Sequence, residues 1–207
     1  EILNQHKQKV ITGSVSVKAT DNKTISKKDK KKIQSNLSAS NDKIKKPYKF
    51  IFSSQKNTET ILDNKFVKQI NKNPNCEIVY KTADNQKGGL FSLGDIYIYP
   101  TTMEGVGLTI TEAMSTGMPV VTTNYPTMNE WIDDNKEGRL IRPKKIKQGS
   151  MPMDKCIIDN SHLAEIMIDY IEHPEKVEEH SHNARKRVAT DFNWDDRDQQ
   201  IINLLTI

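Results

Sequence analysis

Asp95-Ile-Tyr-Ile-Tyr-Pro100 is followed by Glu104-Gly-Val-Gly-Leu-Thr-Ile-Thr-Glu-Ala-Met114 and then by Gly117-Met-Pro-Val-Val-Thr-Thr123. The first run is rich in β-branched and aromatic residues and stops at a proline, which predicts a short strand. Two glycines then predict a loop whose backbone can come close to a ligand. The next segment predicts a helix that ends at Gly117, because glycine is typical of a helix C-terminus and Pro119 prevents the helix from continuing. The two valines start a second, buried strand.

The loop and the start of this helix predict an anion-binding site. A helix that begins near Gly107 directs unpaired N–H groups and the positive end of its dipole towards the loop. Glu104 precedes that helix at the carboxyl end of a strand, where open α/β sheets bind ligands. Glu112 lies about one and a half turns into the helix, where it can accept hydrogen bonds from adjacent hydroxyls, as acidic residues do with ribose. One anion site and two carboxylates suit a sugar nucleotide, with its central diphosphate and a sugar at each end.

The motif Glu-Gly-x-Gly-Leu-x-x-x-Glu-Ala-Met, followed by Gly-x-Pro-Val-Val, resembles the donor-site signature of retaining glycosyltransferases of family four, which have the GT-B fold. The resemblance runs from about Phe50 to the C-terminus and is densest from Asp95 to Arg142. It implies that Glu112 binds the ribose hydroxyls of the donor, and that Glu104 contacts the transferred sugar and is the catalytic residue. It also implies that the loop binds the sugar and diphosphate through Gly105, Val106, Gly107, Leu108 and Thr109.

Members of that family usually carry an Arg and a Lys in an early loop, where they bind the diphosphate. The corresponding segments here, 14–23 and 53–56, contain no Arg. Lys18 and Lys56 are the candidates for this role, with ordinary surface lysines as the alternative. This departure from the family pattern bears on catalytic competence.

Strands alternate with helical patterns along the chain, for example at Lys49–Ser53, Cys76–Tyr80 and Arg139–Arg142. Such alternation predicts βαβ units with right-handed connections. The expected class is therefore α/β, a Rossmann-like parallel sheet flanked by helices, which the resemblance makes one half of a GT-B fold.

We expect three regions. An N-terminal segment, 1–48, can hold the first strand (Val10–Val17) and a short helix (Asp29–Leu37). A Rossmann-like sugar-nucleotide-binding domain covers 49–191. A C-terminal helix, 192–207, crosses to the other domain in members of the family, and we expect it to be partly exposed here.

Four further expectations concern single segments. The sequence predicts an irregular loop over residues 143–160 and Ser161 as the N-cap of the next helix. A short helix over Met128–Asp133 carries Glu130, which matches a family glutamate and is as well explained by a structural role. The histidines are placed in the N-terminal tail or on surface helices: they are His6, His162, His173, His180 and His182.

The chain has 207 residues and a formal net charge of +4, which allows a sizeable core and does not demand a polyanionic partner. No apolar run approaches ~20 residues, so no membrane span is predicted. The chain begins with Glu1 rather than Met and shows no signal peptide, so we expect a cytoplasmic fragment that lacks the N-terminal acceptor domain of a GT-B enzyme. Cys76 and Cys156 are expected to be reduced thiols.

The expected partners follow from the same residues. Neither the cysteines nor the histidines have metal-ligand spacing, and the family acts without a metal, so we expect no cofactor. The lysines of segment 27–32 have no interleaved aromatic residues, so nucleic acid is not expected. A peripheral contact with an anionic membrane stays open.

The resemblance thus implies a glycosyltransferase of the hexosyltransferase type. It transfers a sugar from a nucleotide-sugar to an unidentified acceptor with retention of anomeric configuration, and the chain by itself is expected to be incomplete for catalysis. The alternative is a non-catalytic nucleotide-sugar-binding module or scaffold of the same fold. An epimerase or phosphorylase is disfavoured because no carboxylate–histidine set and no lysine for pyridoxal stand out.

Overall fold

The computed structural model describes residues 9–14, 47–54, 64–80, 91, 93–149 and 154–206. Six of the strands in these residues form a parallel sheet and two form an antiparallel ribbon. The sheet strands are β1 (Lys9–Ser14), β2 (Tyr48–Ser54), β3 (Cys76–Tyr80), β4 (Ile96–Tyr99), β5 (Val120–Thr123) and β6 (Gly138–Ile141). The ribbon strands are β7 (Pro143–Gln148) and β8 (Asp154–Ile158). The helices are α1 (Asn64–Lys72), α2 (Leu108–Ser115), α3 (Asn160–Glu172), α4 (Pro174–Asp191) and α5 (Trp194–Leu205), with a 3₁₀ turn at Met128–Glu130.

The order of the parallel strands is β3-β2-β1-β4-β5-β6. The chain therefore runs outward from β1 in one direction and then crosses back to continue from β4 in the other, which is the doubly wound order. β1 and β4 are direct neighbours, with Ile11 opposite Ile96. The order reverses between these two strands, and open α/β sheets bind ligands outside the carboxyl ends of the strands at such a point. The predicted Rossmann-like class is confirmed.

Strand β4 shows why both faces of the sheet are covered. Its side chains alternate in direction, as they do in any strand. Ile96 and Ile98 enter one core cluster, together with residues of α3, whereas Tyr97 and Tyr99 enter the other cluster, against α2. All four residues of the strand are buried, which explains why the sequence shows a continuous apolar run rather than a polar face.

The predicted elements agree with the observed ones in most places. The predicted first strand corresponds to β1, which ends at Ser14 and lies inside the sheet between β2 and β4. The strands predicted at Lys49–Ser53 and Cys76–Tyr80 are β2 and β3. The helix predicted at Asp29–Leu37 lies outside the described residues. The helix predicted at Met128–Asp133 is only the 3₁₀ turn.

The prediction of an irregular segment over 143–160 was wrong, because β7 and β8 pair in antiparallel fashion there. The backbone N–H of Cys156 donates to the carbonyl of Thr102 at 2.8 Å, which attaches the ribbon to the loop after β4. Cys156 is fully buried, whereas Lys144, Lys145 and Ile146 of β7 are all exposed. A strand that is exposed on both faces has no apolar alternation, so its sequence carries no strand signal.

The predicted cap of α3 was also wrong. The N-cap is Asp159, whose carboxylate accepts from the backbone N–H of Ser161 at 3.0 Å and of His162 at 3.4 Å. Arg142 donates to the same carboxylate at 3.0 Å, and together these contacts hold the pKa of Asp159 below its ordinary value. Aspartate and serine are both good caps, so residue type alone could not separate them.

The predicted surface position of His180 was wrong as well. Its side chain is 1% exposed and lies between α3 and α4, where Nδ1 shares a hydrogen bond of 2.7 Å with the hydroxyl of Tyr170. Burial lowers the pKa of His180 below its ordinary value. The sequence of α4 is strongly polar, and only its packing against α3 determines which of its polar residues is buried.

Candidate functional site

The structure brings both predicted glutamates into one strand–loop–helix unit at the carboxyl edge of the sheet. Strand β4 ends at Tyr99, the loop carries Glu104, and α2 begins at Leu108 with Glu112 on its second turn. Gly107 caps the helix with φ 77° and ψ 38°, a left-handed conformation that favours glycine. The strand, glycine loop and helix predicted from the sequence are therefore present in that order.

Three of the four residues at this turn, Gly105, Val106 and Leu108, are exposed, whereas Gly107 is buried. No other described residue accepts a hydrogen bond from the amides of Gly105, Val106, Gly107 or Leu108. The first N–H groups of α2 have no partner within the helix, and the positive end of its dipole lies at the same place. Unpaired amides at a helix N-terminus form a site suited to a phosphate.

The carbonyl groups of the loop, in contrast, are held by a segment that follows β5. The indole Nε1–H of Trp131 donates to the carbonyl of Val106 at 2.7 Å. The hydroxyl of Thr127 donates to the carbonyl of Glu104 at 3.4 Å. Sequence reasoning missed both residues, which are more than twenty positions away from the loop along the chain.

Glu104 is half-buried, and its carboxylate is held in place by two hydroxyls. Tyr99 and Thr101 both donate to Oε1, Thr101 at 3.1 Å. Thr101 is itself fixed, because its carbonyl accepts from the hydroxyl of Thr123 on β5 at 2.5 Å. Burial, followed by the adjacent carboxylate of Glu104, raises the pKa of Tyr99 above its ordinary value, so the phenol stays a donor. In the described part of the chain Glu104 has no ion-pair partner, and no donor contacts its Oε2.

Tyr99 and Thr101 were also missed as site residues, although their sequence position offered a signal. Tyr99 is the last residue of the strand and precedes Glu104 by five positions, and a tyrosine there can return its hydroxyl to the loop. From the sequence Tyr99 was predicted only to be part of a buried strand, which it also is, at 5% exposed.

The remaining predicted residues fall into three groups. Glu112 is exposed on α2, and its carboxylate contacts no donor among the residues described. Val106 and Leu108 present exposed apolar side chains on either side of Gly107, 52% and 61% exposed, and Thr109 is partly buried in the first turn of α2. Lys18 and Lys56 lie outside the described residues. Glu130 is exposed in the 3₁₀ turn.

Neither a metal centre nor a membrane span can be identified within the described ranges. They contain no group of three or more His, Cys, Asp or Glu side chains arranged to hold a metal ion. None of their helices is both long enough and apolar enough to cross a membrane.

The fold and the loop together define a class of protein. A doubly wound parallel sheet with a glycine loop and a helix N-terminus at the switch point is the arrangement of α/β domains that bind nucleotides and other phosphorylated ligands. The sequence model of the family "Glycosyl transferases group 1" matches residues 38–187, well over half of the chain. The chain therefore belongs to the glycosyl transferases group 1 family.

Relatives with assigned functions share part of the chain. A sucrose synthase of Denitrovibrio acetiphilus is 35% identical over 119 residues, which are 56% of this chain and 12% of that protein. The capsular polysaccharide biosynthesis glycosyltransferase CapM of Staphylococcus aureus is 25% identical over 135 residues, which are 65% of this chain and 31% of CapM. The chain thus corresponds to a minor part of the length of each of these relatives.

Solved structures show the same fold. HepE of Anabaena, in complex with UDP and glucose, aligns with a TM-score of 0.63 at 19% identity over 96% of this chain and 48% of that one. The C-terminal domain of the glycosyl transferase group 1 protein LpcC of Francisella tularensis aligns with a TM-score of 0.60 at 17% identity, over 89% of this chain and 86% of that domain. The chain has the fold of the C-terminal half of a GT-B glycosyltransferase, as the sequence predicted.

Proposed function

We propose that the chain binds a nucleotide-sugar and serves as the donor-binding part of a glycosyltransferase. The observation that carries this proposal is the set of amides from Gly105 to Leu108 that have no acceptor among the described residues, next to the half-buried Glu104 at the switch point of the sheet. These amides and the dipole of α2 form a preorganised positive site for a diphosphate. The relative HepE, which has the same fold, was solved with UDP and glucose bound, which favours a uridine nucleotide among the donors.

In this proposal each carboxylate has a separate partner. Glu112 accepts from the ribose hydroxyls, because it is exposed on the second turn of α2 and unpaired among the described residues. Glu104 uses Oε2 for a hydroxyl of the transferred sugar, since Oε1 is already bound by Tyr99 and Thr101. The protein groups hold the sugar in place and stabilise the charge that develops on the departing diphosphate.

The family resemblance adds retention of anomeric configuration to the proposal. In a retaining transfer the bond between the anomeric carbon and the diphosphate oxygen breaks, and the new bond to the acceptor oxygen forms with the original configuration. NMR of the transfer product distinguishes the two outcomes through the coupling constant of the anomeric proton. Inversion would contradict this part alone and would leave the binding proposal intact.

The direct test is calorimetric titration of the chain with UDP, ADP and GDP, followed by the sugar derivatives of the nucleotide that binds. Binding of one diphosphate, with a further gain in affinity from the attached sugar, is the expected result. Absence of binding to all three would overturn the proposal. Turnover is then measured as release of nucleoside diphosphate, in this chain and in any longer polypeptide of which it is a part.

A non-catalytic module is the second candidate, and the absence of Arg from segments 14–23 and 53–56 favours it. A module would bind the same nucleotide-sugar, because the loop amides and Glu112 would still be in place. It would show no hydrolysis or transfer in the full protein with any acceptor tried. Measurable turnover excludes it.

A further inference from the structure

Trp131 lies outside the loop and outside the 3₁₀ turn, yet it is joined to the loop by a hydrogen bond. Its indole Nε1–H donates to the carbonyl of Val106 at 2.7 Å. The next residue is the left-handed Gly107, where a Cβ atom would lie 3.7 Å from Nε1 and 3.3 Å from Cδ1 of Ile110. The indole therefore lies directly against the part of the loop that carries the unpaired amides.

Because the peptide bond is planar, this single hydrogen bond also fixes the direction of the neighbouring N–H group. In a trans peptide the C=O of one residue and the N–H of the next point in opposite directions. Because Trp131 holds the carbonyl of Val106, the N–H of Gly107 has to point to the opposite side of the loop. The hydroxyl of Thr127 holds the carbonyl of Glu104 in the same way, at 3.4 Å, and turns the N–H of Gly105.

Trp131 can fix the loop only if it is itself fixed, and its neighbours provide this. Met128 and Ile132 on either side of it are 0% and 1% exposed and belong to the core cluster that includes α2. The indole also meets the ring of Phe192 edge to face, with centroids 5.1 Å apart and an angle of 70° between the planes. Edge-to-face contact is one of the arrangements that aromatic pairs favour, so this contact helps to hold the indole in place.

We propose that Trp131 is a positioning residue for the diphosphate: it orients the peptide between Val106 and Gly107 so that the amide faces the ligand before the ligand binds. The inference rests on the proposed function, since it assigns a support to the same anion site. Trp131 does not touch the diphosphate in this account. Its effect is on the orientation of an amide that does.

The test compares UDP with uridine as ligands of the wild-type chain and of Trp131→Phe. The variant keeps an aromatic ring next to Phe192 and removes the N–H donor. Loss of one hydrogen bond that fixes an amide should weaken UDP binding by about 3- to 10-fold. Uridine has no phosphate, so its affinity should not change. Phe192→Leu, which keeps the indole N–H and removes only the ring contact, should cause a smaller loss for UDP.

The outcomes separate the inference from the proposed function. If the wild-type chain binds none of UDP, ADP and GDP, the proposed function fails and the inference fails with it. If the wild type binds UDP and Trp131→Phe binds it equally well, the inference alone is overturned. An equal loss for uridine and UDP would also overturn it, because that pattern indicates general damage rather than a misdirected amide. If ADP or GDP is the preferred nucleotide, it and its nucleoside replace the uridine pair.

A measurement on the wild-type chain keeps the inference testable even if the variant does not fold. The indole N–H of Trp131 gives one signal in an ¹⁵N–¹H NMR spectrum, which is assigned by its loss in Trp131→Phe or, without that variant, by its contacts to Phe192. We expect this proton to exchange slowly with water in the free protein and to shift when UDP is added. Rapid exchange in the free protein would show that the loop is not held before binding and would overturn the inference.

Discussion

Two loops at opposite edges of the sheet each carry a glutamate, and the two glutamates differ in the partners that bind them. Glu104 lies at the carboxyl edge after β4, where two hydroxyls bind one of its oxygens and no described cation pairs with it. Glu137 lies at the amino edge, just before β6, and its side chain is 2% exposed. It accepts from Arg187 at 3.0 Å and from the backbone N–H of Asp133 at 2.8 Å, and Lys136 lies 3.4 Å from its other oxygen.

The difference shows how this fold separates stability from binding. At the amino edge both oxygens of the buried carboxylate have partners. The next residue, Gly138, has no room for a side chain, because a Cβ would lie 1.9 Å from the carbonyl oxygen of Val120. At the carboxyl edge one carboxylate oxygen and a row of amides have no partner among the described residues, and polar groups without partners cost stability unless a ligand binds. We therefore expect substitutions at the amino edge to change folding, and those at the carboxyl edge to change binding.

The most severe test of this separation is Arg187→Met. It keeps the aliphatic part of the side chain and leaves Glu137 as a buried charge whose remaining cation, Lys136, is 61% exposed. Breaking a buried ion pair in this way should lower the free energy of unfolding by about 3–5 kcal/mol, as measured by urea denaturation. The double variant Arg187→Met/Glu137→Gln has no unpaired buried charge. Apart from the ion pairs of Glu137, it loses only those of Arg187 with the exposed Asp133 and Asp191, so it should recover much of that loss. If the double variant is as unstable as the single one, the charge is not the cause.

The second test is Glu112→Ala, which should affect binding only. Loss of hydrogen bonds between a carboxylate and the ribose should weaken nucleotide diphosphate binding by about 1.5–3 kcal/mol, as measured by calorimetry. Unfolding should be unaffected, because the side chain is exposed and unpaired among the described residues. Glu178→Ala is the matched control, since Glu178 is also an exposed helical glutamate. Unchanged affinity in Glu112→Ala would refute the assignment to ribose.

The third test uses two variants of Glu104 to separate its role in folding from its role in sugar binding. In Glu104→Gln an oxygen can still accept from Tyr99, so folding should be retained. In Glu104→Ala the buried phenol loses its acceptor, which should cost about 1–3 kcal/mol of stability. Both variants should keep the affinity for UDP within about twofold and lose the additional affinity contributed by the sugar. An equal loss for UDP and its sugar derivative would contradict the position of Glu104 next to the sugar.

The smallest expected effect concerns His180, which belongs to the packed region rather than the binding edge. Burial lowers its pKa in the folded chain from the ordinary value of 6.5. Above that pH the ring is neutral in both states, and as the pH falls the unfolded chain takes up the proton first. The free energy of unfolding should therefore decrease as the pH falls below the ordinary value of 6.5. His180→Gln should flatten this slope in urea titrations, and an unchanged slope would assign it to other groups.

The sequence was most informative where short-range signals determine the backbone. The ends of elements are marked by Pro100, Gly107 and Gly117. In the structure β4 ends just before Pro100, Gly107 is the left-handed N-cap of α2, and Gly117 is a left-handed residue after α2. The positions of Glu104 and Glu112 relative to α2 follow from the helix period alone. The candidate site could be located for that reason before any tertiary contact was known.

The supports of the site could not be found in the same way. Trp131 and Thr127 contact the loop only because β5 lies beside β4 and returns the chain to the same edge. The ribbon of β7 and β8 and the buried position of His180 were missed for a related reason: polar sequences give no sign of the partner that covers them. Their contacts join residues that are distant along the chain.

The sequence by itself determined the doubly wound class, the glycine loop with its two flanking glutamates and the start of α2, because local backbone preferences and the 2.0 and 3.6 periodicities fix them. The tertiary structure decided which loop groups are held and which are open. Trp131 and Thr127 bind the carbonyls, and Tyr99 and Thr101 bind one oxygen of Glu104. Hydrogen bonding in a loop depends on which distant strands become neighbours, and that is set by the packing of the whole sheet.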